Sequence, residues 1–134
     1  MGKQLVLISH GKFCEALKES TEMIMGPQEN IHTVPLLSEE GQEQFKEKFE
    51  KEIESLDDFV VLCDLMGGTP CTVVSKMIMR GADIKLYAGM NMPMVLEFIN
   101  SEMVDKELDL INAAVNNTAY VNDIIAMDDA DDEE

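Results

Sequence analysis

A chain of 134 residues carries 10 basic against 27 acidic side chains, and a net charge of −17 argues against nucleic-acid phosphates and anionic membrane surfaces as partners. Its 46% apolar content suffices for one hydrophobic core, and the length is too short for two. No apolar run approaches the roughly 20 residues of a membrane span, and the opening run Leu5 to Ile8 lacks the features of a secretory signal, so a cytoplasmic protein without membrane insertion is expected.

In chain order, Leu5-Val6-Leu7-Ile8 reads as a buried strand, and after Gly11 the residues Phe13, Ala16, Leu17, Ser20 and Ile24 share one helical face. Gly26-Pro27 ends that helix. Ile31 to Leu37 forms a second strand, and Ser38 suits the cap of a charged helix with the stripe Phe45, Phe49, Ile53 and Leu56. Phe59 to Cys63 is a third strand, Thr72 to Arg80 a third helix and Ile84 to Ala88 a fourth strand, while Pro93 opens a fourth helix. Val104, Leu108, Ile111 and Val115 mark a fifth helix. The last apolar run, Ile124 to Met127, reads either as an edge strand or as one exchanged between two subunits. Asp128, Asp129, Asp131, Asp132, Glu133 and Glu134 then make an acidic run, so a single domain over 1–127 with a disordered tail at 128–134 is expected.

Strands alternating with helices predict an α/β fold: an open, mainly parallel sheet in the order 2-1-3-4 with helices on both faces. Ligands of such sheets sit beyond the carboxyl ends of the strands, where the strand order reverses. Those tips read Ser9-His10-Gly11, Asp64-Leu65-Met66-Gly67-Gly68-Thr69-Pro70 and Gly89-Met90-Asn91-Met92-Pro93. With strands one and three adjacent, His10 and Asp64 emerge side by side. A carboxylate that accepts one ring N–H fixes the tautomer and leaves the other nitrogen free to attack. The same pair would also serve as an ordinary surface salt bridge.

Gly67-Gly68 permits close backbone approach, Thr69 suits an N-cap and Pro70 a first helical turn, so free N–H groups should face His10 and make an anion site. Gly11 is placed in the same phosphate-binding group. No Walker loop, no G-x-G-x-x-G and no metal-ligand spacing occurs, so neither a metal nor another cofactor is expected. Cys14, Cys63 and Cys71 form no C-x-x-C and read as buried small hydrophobes. His32 reads as a strand-edge residue.

Four segments together, Ser9-His10-Gly11, Met23-Ile24-Met25-Gly26, Cys63 to Pro70 and Gly89 to Met94, give a chain that resembles the IIA component of the mannose family of the phosphoenolpyruvate-dependent sugar phosphotransferase system. The resemblance spans nearly the whole chain. It implies a dimer with an exchanged C-terminal strand and a phosphotransferase component that is phosphorylated on His10. It further implies Asp64 as the orienting carboxylate, the phosphocarrier protein HPr as donor, and a IIB component on a separate chain as acceptor during sugar uptake. Met66 stands where some relatives carry a bulkier aromatic residue. Met23, Met25, Met66, Met90 and Met92, among eleven methionines, would then ring the His10 crevice as a partner-docking surface. Two other readings compete: the phosphoryl-donor subunit of a dihydroxyacetone kinase system, and a regulatory binding module whose His10 is never phosphorylated.

Overall fold

The computed structural model describes residues 2–132. Four parallel strands, β1 (Gln4–His10), β2 (Ile31–Leu36), β3 (Phe59–Cys63) and β4 (Lys85–Ala88), lie in the order β2-β1-β3-β4, as expected. Among the described residues six helices accompany them: α1 (Phe13–Met25), α2 (Gln42–Ile53), α3 (Thr69–Met79), α4 (Met92–Val104), α5 (Leu110–Asn116) and α6 (Val121–Asp132).

The two-residue period of a strand assigns β1 to two cores at once. Leu5 and Leu7 face α1, α4 and α5 in a cluster with Cys14, Leu17, Val95 and Phe98. Val6 and Ile8 face α2 and α3, meeting Phe45, Phe49 and Val74. All four of these β1 side chains are fully buried, which explains why the strand is continuously apolar. Because β1 pairs with β2 on one side and β3 on the other, the order of connection reverses between β1 and β3, and the crevice opens there.

Several helical expectations need correction. The buried stripe of α1 is Cys14, Leu17 and Thr21, whereas Phe13 is 49% and Ile24 60% exposed. Cys14 and Leu17 pack into the cluster with β1, α4 and α5, and the Cys14 N–H is tied back to the buried Ser9 hydroxyl at 2.8 Å. Helix α2 starts from Gly41 and not from Ser38: Glu40 N–H donates to Leu37 O at 3.0 Å to close a turn, and the Gln44 side chain accepts from Gly41 N–H at 2.9 Å. The continuous helix expected through Val104 and Leu108 is broken at Asp105, whose left-handed φ of 51° ends α4, and α5 begins only at Leu110.

The largest departure is at the C-terminus. Ile124 to Met127 is not a strand; it lies within helix α6, whose residues Val121, Ile124, Ile125 and Met127 are all about half exposed or more. Apolar residues at 121, 124 and 125 fit a helical period as well as a strand, and a short apolar run does not discriminate between the two. Helix α6 also runs on to Asp132, through most of the segment expected to be a disordered tail, while residues 133 and 134 lie outside the described residues.

Candidate active site

The β1–β3 ladder ends with Ile8 opposite Cys63, and one residue further on a side chain takes over from the backbone. Asp64 Oδ2 accepts the His10 backbone N–H at 2.8 Å and also lies 2.8 Å from the ring Nδ1. Adjacency of the two strands, inferred from the alternating pattern, therefore delivers the His-Asp pair. Placing the proton on Nδ1, as a hydrogen bond to a carboxylate requires, leaves Nε2 with its lone pair.

The second Asp64 oxygen, Oδ1, is buried without a hydrogen-bond partner. The side chain is 13% exposed and the imidazole 47%, so the carboxylate is largely withdrawn from water while the ring is open to a partner. A carboxylate with one oxygen unsolvated gains more from a cationic ring than a fully hydrated one does.

Gly68, at the start of α3, packs against the edge of the imidazole that carries Cε1 and Nε2. A Cβ built on Gly68 would lie 3.0 Å from Nε2 and closer still to Cε1, so only a glycine lets the backbone approach the ring this way. Gly68 itself is the N-cap in place of Thr69, which occupies the first helical position, with Pro70 next. The cap side chain is thus absent, and the early N–H groups of α3, among them those of Thr69 and Cys71, have no acceptor inside the helix. Gly67 supplies the turn before it with a φ of +86°.

Gly11 does not belong with this donor group. Its N–H is held by Leu36 O at 2.7 Å, and its contribution is a left-handed turn with φ +56° between β1 and α1.

The methionine ring divides. Met66 is 80% exposed on the tip beside Asp64, and with Phe13 at 49% and Leu65 at 59% it forms an apolar rim on the segments that carry the pair. From sequence Phe13 reads as part of the buried face of α1, and Leu65 as a tip residue with no assigned role. Met90 is 5% exposed and belongs to the core, its N–H bonded to Cys63 O at 3.0 Å, so it offers no docking surface. Met92 and Met25 are half-buried against the same core. Met23 is 87% exposed but sits near the far end of α1, ten residues past Phe13 and about 15 Å along the axis from the His10 tip.

Cys63, directly before Asp64, is fully buried, and its thiol is pushed up to about 12 by burial, with the neighbouring Cys71 thiol and the Asp64 charge adding to the effect. It is inert at neutral pH, as is Cys14, whose thiol burial also pushes up. His32 lies on the edge strand β2, its ring nitrogens 3.2 Å from Glu52 Oε1 and 2.8 Å from Gln4 Oε1, away from the crevice. Among the described residues, no three His, Cys, Asp or Glu side chains are grouped to hold a metal ion. Among the described residues, no helix is long and apolar enough to cross a membrane.

With this geometry in place, similarity to known proteins is decisive. Residues 4–118 match the EIIA-man family, described as "PTS system fructose IIA component". The chain belongs to the EIIA-man family. It is 32% identical over 111 residues to the fructose-specific EIIA component of Bacillus subtilis, covering 81% of this chain and 76% of that protein. It is 29% identical over 108 residues to the mannose-specific EIIAB component of Escherichia coli, a match over 78% of this chain and 33% of that longer protein. In fold it is like the crystal structure of EIIA from Streptococcus agalactiae, with a TM-score of 0.80 at 24% identity over 90% of this chain and 98% of that one. Membership in EIIA-man makes the chain a component of a sugar phosphotransferase system, with the parallel α/β fold expected from its sequence.

Proposed function

We propose that this EIIA-man chain is a cytoplasmic phosphoryl carrier in which His10 accepts a phosphoryl group from phospho-HPr and passes it to a IIB component during sugar uptake. The observation that carries the reading is the 2.8 Å contact of Nδ1 with a carboxylate oxygen, together with the close packing of Gly68, the N-cap of α3, on the Cε1–Nε2 edge of the ring.

With the ring proton held on Nδ1 by Asp64, the Nε2 lone pair attacks the phosphorus of the donor's phosphohistidine. The new N–P bond forms as the donor's N–P bond breaks, and the donor ring leaves with that electron pair. His10 then carries both a phosphoryl group and the Nδ1 proton, and the ring's positive charge is stabilised by Asp64. The phosphoryl oxygens face the start of α3, where the Thr69 and Cys71 N–H groups and the positive end of the helix dipole meet them, with Gly67 and Gly68 permitting the approach. Onward transfer repeats the step with the acceptor side chain of IIB attacking. Phosphohistidine is already an activated donor, so this chemistry asks only for alignment and for compensation of charge.

Phe13, Leu65 and Met66 form the apolar contact surface for HPr and IIB in turn. The half-exposed apolar side chains of α6 support a homodimer built through that helix. Incubation of the chain with phosphoenolpyruvate, enzyme I and HPr, followed by intact mass measurement, tests the reading. The expected result is a single acid-labile phosphoryl group per chain that is missing from His10→Ala; a folded wild-type chain that gains nothing refutes the carrier role.

A further inference from the structure

The segment from Ser9 to Cys14 contains a hydrogen-bonded device that the phosphoryl chemistry above does not use. Ser9 is fully buried at the end of β1, one residue before the reactive histidine. A hydroxyl in such a place must find partners, and this one has two, both at 2.8 Å: it donates to Gly11 O and accepts from Cys14 N–H. The direction is fixed, because the Cys14 N–H can only donate, which commits the hydroxyl proton to the Gly11 carbonyl.

These two bonds bracket the turn that carries His10. The formal N-cap of α1, Lys12, makes no side-chain capping bond. Ser9 instead supplies the oxygen that a capping side chain ordinarily gives, reaching the N–H of Cys14 at the second helical position. The same hydroxyl holds the carbonyl of Gly11, the residue with φ +56°, so it fixes both the left-handed turn and the entry of α1. The Gly11 N–H bonded to Leu36 O and the His10 N–H bonded to Asp64 complete the frame from β2 and β3. His10 is held from three sides, and Ser9 supplies the side from its own strand.

We infer that Ser9 is the positioning residue of the phosphoryl-accepting imidazole: through its two hydrogen bonds it sets the pitch of the His10-Gly11-Lys12 turn so that Nδ1 meets Asp64 and the Cε1–Nε2 edge packs on Gly68. The inference rests on the reading of His10 as the phosphoryl carrier. Ser9 touches neither the ring nor the phosphoryl group and acts only through the backbone that presents them.

Ser9→Ala removes the hydroxyl and leaves the Gly11 carbonyl and Cys14 N–H without their partner, freeing the turn but leaving Asp64, Gly68, Leu65 and Met66 in place. The expected result is a fall of about tenfold in the maximal rate of phosphorylation by phospho-HPr, with little change in the HPr concentration at half-maximal rate. The ring ¹⁵N spectrum should show the wild-type Nδ1–H tautomer giving way to a mixture. Ser9→Thr, which keeps the hydroxyl, should restore rate and tautomer. Each variant is compared well below its own unfolding midpoint, so that lost stability and lost positioning are separated. A Ser9→Ala chain that is less stable yet phosphorylated at the wild-type rate, with an unchanged ring spectrum, overturns the inference. A wild-type chain that is not phosphorylated removes the carrier reading instead, and the ring spectra of the two chains then decide the positioning role alone.

Discussion

Replacing Gly68 by alanine isolates the geometry of the reactive ring from everything else in the fold. Its φ of −77° and ψ of 169° are open to any residue, so the added methyl brings no backbone strain. As an N-cap, alanine is poorer than glycine by a fraction of about 1 kcal/mol, which leaves the chain folded. The methyl itself is the perturbation: it would sit 3.0 Å from Nε2 and closer to Cε1, against ordinary contacts of about 3.5–4.0 Å. The ring must retreat by about 1 Å, and the 2.8 Å bond from Nδ1 to Asp64 cannot survive a displacement of that size within hydrogen-bonding limits of about 3.2 Å. A reacting group misplaced by about 1 Å loses on the order of 10²-fold in rate. Rapid-quench measurement of acid-labile phosphorylation by phospho-HPr should therefore show a loss of about that size, with an unfolding midpoint close to wild type. Gly67→Ala is the contrast, since its Cβ meets nothing within 4 Å but its φ is +86°; it should cost about 1 kcal/mol of stability and much less rate. A Gly68→Ala chain phosphorylated within about twofold of wild type would refute the argument that the backbone of α3 fixes the ring.

Two further outcomes follow from the same crevice. Met66→Glu, placing a charge on the exposed rim without touching the His10–Asp64 pair, should raise the HPr concentration needed for half-maximal phosphorylation by about tenfold or more and leave the maximal rate nearly unchanged; a fall in the maximal rate at an unchanged half-maximal concentration would place Met66 in the chemistry instead. The Cys63 thiol, raised from 9.0 to about 12 in the folded chain, gives stability that is complete below the unfolded value and is lost as pH rises toward the folded one. Denaturant unfolding between pH 8 and 11 should show a declining midpoint that Cys63→Ser, whose hydroxyl does not titrate in this range, lacks in part, and native Cys63 should resist alkylation at pH 8 until denaturant is added.

The sheet was legible because its signals are local. Four apolar runs of strand length, each followed by a helical period, leave little choice but a parallel sheet, and the placement of His10 beside Asp64 follows from strand order alone. The site residues that could not be read are those whose role depends on where a helix is turned or where a hydrogen bond goes. Gly11 looks like a phosphate cradle in sequence, yet its N–H is engaged by β2. Thr69 looks like a cap, yet Gly68, packed closely on the imidazole, is the N-cap one residue earlier. Met23 and Met90 look alike in composition, and only the length of α1 and the depth of the fourth tip separate them from Met66.

Ser9 illustrates why the residue next to a reactive group is hard to read. A serine before a histidine is unremarkable in sequence, and its partners at Gly11 and Cys14 are defined only once β1 turns left-handed into α1. The α1 stripe shifts at the same place: Cys14, whose N–H the hydroxyl holds, is fully buried while Phe13 before it is half exposed. One buried hydroxyl thus ties the reactive turn to the first turn of α1. Loosening of Ser9 should therefore show in the orientation of the imidazole, where the tolerance for displacement is smallest.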